Sequence, residues 1–98
     1  MEIEDIPQAL TLPLRLIIIS ILIGAAKNFN DLKILSNSSD GNLSVQLKKL
    51  ETWGYVSSSK IKQQNRTVTY YNLTKYGQEQ FENYVKLLSR IIGNVDDF

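Results

Sequence analysis

The sequence predicts an α+β fold that is mostly α, and three observations carry that expectation. Apolar residues recur at helical spacing up to residue 54 and again after residue 74. Between these stretches, residues 55–73 switch to β-branched and aromatic residues on either side of a polar loop. With 98 residues there is room for one core, so these elements form a single domain over residues 1–98.

The first helix is the apolar run Leu14 to Ala26, with Pro13 in its first turn and Gly24 near its stop. It is shorter than the roughly 20 apolar residues a membrane span needs, and Arg15 and Ser20 interrupt it. The acidic leader Met1 to Asp5 does not resemble a signal peptide, so the run is expected to be a buried central helix. A short second helix spans Asn30 to Leu35, with Asn30 as its cap and Asp31 in its first turn. Ser36 to Ser39 break it. Ser39 then caps a third helix whose buried stripe is Leu43, Leu47 and Leu50 and which stops at Gly54. At 100° per residue, Gly41, Asn42, Ser44, Val45, Lys48, Lys49 and Thr52 fall on its exposed side, with Gln46 at the edge.

Tyr55 to Ile61 and Thr67 to Leu73 read as the strands of a β-hairpin, joined by the polar loop Lys62-Gln63-Gln64-Asn65-Arg66. Thr74 caps the last helix, in which Phe81, Tyr84, Val85, Leu88, Ile91 and Ile92 keep helical spacing. The tail Asn94 to Phe98 is expected to fray.

Charge is patterned along this order. Residues 1–40 hold three basic against five acidic side chains and residues 76–98 hold two against four, a net of −2 for each. Residues 41–75 carry Lys48, Lys49, Lys60, Lys62, Arg66 and Lys75 against Glu51 alone, a net of +5. A positive middle between acidic ends suits a polyanion. The chain has no Cys and no His, which removes disulfides, the imidazole base and the usual zinc ligands. No catalytic residue, metal or cofactor is therefore expected, and binding is the expected activity. Absent cysteines also fit a reducing, cytoplasmic setting.

Helix, helix, turn, helix, hairpin, helix, with basic residues on the third helix and the hairpin, is the order of a winged helix-turn-helix. The segments DGNLSVQLKKLETWGYVSSSK and RTVTYYNLTKYGQEQF resemble the small winged-helix transcriptional regulators of the MarR/ArsR-like group in their compact form. The resemblance covers roughly residues 10–92. It implies a helix-turn-helix and wing over residues 10–73 and a C-terminal dimerisation helix over residues 74–93. It further implies that the helix Ser39 to Trp53 enters the major groove of DNA, that the loop Lys62 to Arg66 lies on the flanking backbone or minor groove, and that the terminal helices build a homodimer. Gln46 departs from relatives that carry His there, and the missing Cys and His depart from the metal-sensing branch.

The candidate contacts to duplex DNA are Asn42, Ser44, Val45, Gln46, Lys48 and Lys49 on the third helix and Lys60, Lys62, Gln63, Gln64, Asn65 and Arg66 on the hairpin. Asn and Gln can pair bidentately with adenine, and the Val45 methyls can meet a thymine methyl. Asn28 and Asn30 are candidate phosphate contacts that can equally be plain helix caps. The lysines can likewise be solvated surface charges, and Lys62 and Arg66 can simply keep the hairpin tip soluble. Phe81, Tyr84, Val85, Leu88, Ile91 and Ile92 are the expected homodimer interface, because the chain has more apolar surface than a small core hides. A small-molecule effector between the dimer helices is compatible with this architecture and has no motif of its own. The competing class is a winged-helix adaptor that binds protein within the transcription or replication machinery. Salt-insensitive binding to protein, with none to duplex DNA, would select it.

Overall fold

The computed structural model describes residues 6–93. A short 3-10 turn, Gln8–Leu10, leads into α1 (Pro13–Leu22), β1 (Lys27–Asn28), α2 (Phe29–Ser36) and α3 (Asp40–Thr52). The hairpin β2 (Val56–Gln63) and β3 (Arg66–Leu73) and the long α4 (Lys75–Ile92) complete the chain. Four helices and a three-stranded antiparallel sheet, in the order β1-β3-β2, make the mostly helical α+β fold that the sequence predicts. Residues 94–98, where fraying was expected, lie outside the described residues.

The helices form where their caps dictate. Pro13 opens α1, where its missing N–H leaves no bond unmade. Ser39 caps α3 by accepting from the Asn42 amide at 3.2 Å, and Thr74 caps α4 by accepting from Gly77 at 2.9 Å. The cap of α2 is Asn28 rather than Asn30: its Oδ1 accepts from the Asp31 amide at 2.8 Å, and Asn30 sits inside the helix. Both residues have the right chemistry. Pairing of Lys27 and Asn28 with Tyr71 and Tyr70 of β3 holds them extended, which makes Asn28 the last residue before the helix. Asn37 ends α2 in the left-handed region, and Asn37 and Ser38 bond back to the carbonyls of Ile34 and Lys33.

The core gathers Ile18, Ile19 and Leu22 of α1 around Leu32 of α2 and Leu43, Leu47 and Leu50 of α3. Tyr55 and Val56 close it from the hairpin side and Ala9 and Leu10 from the N-terminal turn. The hydrophobic run is thus a buried central helix, although it stops at Leu22 and leaves Ile17 and Ile23 exposed. Among the described residues no helix is long and apolar enough to cross a membrane.

Gly77 is where α4 meets this core. A Cβ there would run into the Tyr55 carbonyl oxygen, so only glycine lets the helix approach so closely. The edge-on pair Tyr55–Tyr76, with centroids 5.4 Å apart, packs beside it. Along α4 the expected stripe divides. Phe81 and Tyr84 pack against the core, whereas Val85, Leu88, Ile91 and Ile92 are exposed. Leu87, which the sequence reading passed over in favour of Leu88, is the buried residue of this part of the helix.

Candidate nucleic-acid interface

Two elements project the candidate residues. On α3, the apolar stripe at Leu43, Leu47 and Leu50 turns inward and leaves Asn42, Ser44, Val45, Lys48 and Lys49 exposed. Beyond Val56, strand β2 has no buried residue, so the hairpin stands out from the body as an arm. Its turn is tighter than the five-residue loop expected from the sequence. Gln63 pairs with Arg66, and only Gln64 and Asn65 lie between them, at φ 47° and 66°. Positive φ at both central residues matches the right-handed twist of a hairpin, and asparagine tolerates that region better than most side chains. Lys60 and Lys62 lie on β2 opposite Thr69 and Thr67 of β3.

The arm, the start of α2 and the exposed side of α3 enclose an open groove. Its lining includes Asn28 and Asn30 from α2, Ser44 from α3 and Gln63, Gln64 and Arg66 from the hairpin. Phe29, Thr67, Val68, Thr69 and Tyr71 complete it, and no carboxylate lines it. The groove therefore unites candidates that are up to 38 positions apart in sequence, from Asn28 to Arg66. Lys48, Lys49 and Val45 lie around a shallow depression with Thr52 and Trp53 on the neighbouring side of α3. Lys48 also borders Ser44, Glu51 and Tyr71.

Tyr71 and the threonines of β3 are groove residues that the sequence reading missed. The period-2 pattern of the strand was visible, but which residues of β3 line the groove depends on how the sheet sits beside α3 and the start of α2. Burial, and then the nearby Glu51 carboxylate, raise the Tyr71 phenol above its usual pKa, so it stays a neutral hydrogen-bonding group. Glu51 itself accepts from the Ser58 hydroxyl at 3.1 Å.

Gln46 is buried, not exposed as the sequence predicts. Expected at the edge of the exposed side, it is 7% exposed and points inward. Its position, three residues after Leu43 and four before Leu50, places it on the apolar stripe. Arg15 makes that burial tolerable by donating Nε to Gln46 Oε1 at 2.8 Å. A direct base contact by Gln46 is incompatible with this arrangement.

The element order and the sheet define a winged helix-turn-helix protein. The family model of the winged helix DNA-binding domain matches residues 14–92, and the chain belongs to that family. It is a non-enzymatic, DNA-binding transcriptional regulator. An uncharacterised protein of Methanocaldococcus jannaschii is 37% identical over 68 residues, covering 69% of this chain and 74% of the relative. A transcriptional regulator homologue of Pyrococcus horikoshii superposes with a TM-score of 0.82 at 26% identity, covering 90% of this chain and 88% of that one. Two further structures share the fold. A PadR family regulator of Clostridium difficile gives a TM-score of 0.71 at 22% identity, covering 84% of this chain and 92% of that chain. PadR of Bacillus subtilis, solved in complex with operator DNA, gives 0.67 at 17% identity, covering 74% of this chain and 46% of that chain. These neighbours carry the PadR name and lend no support to a MarR or ArsR subgroup.

Proposed function

We propose that the protein binds duplex DNA sequence-specifically as a homodimer, with α3 in the major groove and the β2–β3 tip on the flanking backbone or minor groove. The observation that carries this reading is the carboxylate-free groove between α3, the start of α2 and the hairpin, bordered by the basic middle of the chain. In this reading Asn42, Ser44 and Val45 meet base edges, and Lys48 and Lys49 meet phosphates. On the arm, Lys60, Lys62 and Arg66 hold the backbone, assisted by Gln63, Gln64 and Asn65. The Asn28-capped start of α2 offers further donors to a phosphate. Val85, Leu88, Ile91 and Ile92 form the dimer surface, because four large apolar side chains exposed on one helix call for a partner.

The PadR–operator complex supports the DNA reading by fold alone. Selection of bound duplexes from a random pool tests it. The expected product is a two-fold symmetric site with half-sites about 10 bp apart. Failure to enrich any duplex would overturn it in favour of a protein-binding adaptor.

A further inference from the structure

Arg15 and Gln46 form a buried polar pair beneath α3, 6% and 7% exposed. Among the described residues no carboxylate pairs with Arg15. Its guanidinium lies over Trp53, 4.9 Å from the ring centroid, and donates Nη1 to the Gln8 carbonyl at 2.8 Å. Nε donates to Gln46 Oε1, also at 2.8 Å, and Gln46 Nε2 in turn reaches Asn42 Oδ1 at 3.4 Å.

This chain of contacts has a fixed polarity. A guanidinium carries donors and no acceptor, so only the oxygen of the Gln46 carboxamide can face it. The Gln46 NH₂ is thereby turned toward Asn42, where only Oδ1 can receive it. Asn42 Nδ2, with two N–H donors, is left for the exterior. Asn42 is exposed and lies in the first turn of α3, the part of a groove-inserted helix that reaches base edges.

We propose that Arg15 and Gln46 are positioning residues that present Asn42 to the major groove as a hydrogen-bond donor, so that it selects guanine over adenine. The proposal rests on the reading of α3 as the groove-facing helix. Guanine shows two acceptors, N7 and O6, whereas adenine pairs bidentately only with an amide that offers its oxygen as well. An unrestrained asparagine can turn to satisfy adenine. One whose oxygen is occupied from below presents its donors instead.

Base preference in duplexes selected by the full chain tests this. The wild type should prefer guanine to adenine at one position of each half-site by roughly 10-fold or more. In Gln46→Glu the side chain still accepts from Arg15 but has no donor, so Asn42 must turn Nδ2 inward and Oδ1 outward. Preference at that one position should move by roughly 10-fold or more toward adenine or cytosine, whose amino groups donate. Asn42→Ala, a surface change, should level that position and leave the others intact. Because Gln46→Glu alters a buried site, the double variant Arg15→Met with Gln46→Met provides a second reading. It replaces both partners by apolar side chains of similar length and frees Asn42 to turn toward adenine, so the guanine-to-adenine ratio should fall to one or below.

Unchanged guanine preference in both Gln46→Glu and the double variant would overturn the proposal. So would a uniform loss across all duplexes in Asn42→Ala, which is the signature of a phosphate contact. Absence of any duplex binding by the wild type is a different result, because it overturns the DNA reading itself.

Discussion

Arg66 stands beside the two-residue turn of the hairpin, paired with Gln63 and exposed to solvent. A residue so placed can reach a phosphate without disturbing the core, so its removal reports on binding alone. Arg66→Ala should weaken preferred and random duplexes by similar factors and reduce the salt slope by about one per protomer, as filter binding across a salt series would read. A loss confined to the preferred duplex would instead make Arg66 a base reader. Tyr55 illustrates the opposite placement. Burial, and then the neighbouring Tyr76, push its phenol up to about 12, and Tyr71 is raised as well. A raised folded-state value means that the native protein holds these protons where the unfolded chain has released them. Stability is therefore fully present below about pH 10, the usual tyrosine value, and declines as pH rises toward 12. Denaturant melts at pH 8, 10 and 11.5 check this, and equal midpoints would contradict it.

At the scale of elements, α4 has two tasks on neighbouring faces. Its first turn is fastened to the hairpin base, where the Thr74 hydroxyl bonds the Gly54 carbonyl at 2.6 Å and Gly77 lies against Tyr55. Gly77→Ala should cost about 1 to 3 kcal/mol, because backbone rather than a flexible side chain must yield. Thermal unfolding measures it, and an unchanged melting temperature would show that the helix can shift freely. Further along, Leu87 is 4% exposed and Leu88 is 38% exposed, and adjacent substitutions should therefore fail differently. Leu87→Ala should lower protomer stability by about 2 to 3 kcal/mol. Leu88→Glu should leave the fold intact and dissociate the dimer, because the charge becomes buried only on association. Sedimentation at micromolar concentration distinguishes the two, and a monomeric wild type would remove the dimer surface from the proposal.

For the whole molecule, the elongated form, 54 × 26 × 22 Å, follows from the hairpin arm and the length of α4, 18 residues. The net charge is only +1, but the charge is placed so that the middle of the chain carries +5 between acidic ends. If Lys48, Lys49, Lys62 and Arg66 contact phosphates in both subunits of the proposed dimer, about six to eight phosphates are engaged. The logarithm of affinity should then fall with the logarithm of salt at a slope of roughly −5 to −7. Titrations between 50 and 300 mM salt read this slope directly, and a flat response would exclude phosphate-driven binding. Winged-helix geometry provides the placement, but the fold alone does not specify a function. The function follows from family membership, and the proposed contacts follow from the side chains that this fold displays.

Periodicity and capping, which act within a few residues, were legible in the sequence by itself. They placed Ser39 and Thr74 as caps, the Leu43-Leu47-Leu50 stripe inward and the basic residues on α3 and the hairpin. They also separated helices from strands, since the two periods, 3.6 and 2, leave different marks on a sequence. Tertiary structure decided what depends on distant partners. β1 exists because two residues find Tyr70 and Tyr71 of β3, and that pairing moved the cap of α2 to Asn28. The fold buries Leu87 and exposes Leu88, two adjacent leucines that hydrophobicity alone does not distinguish. Gln46 passed for a surface residue on composition, since a buried amide costs about 1 to 3 kcal/mol without a partner. Its partner is Arg15, 31 positions away, and only the approach of α1 to α3 brings the two together.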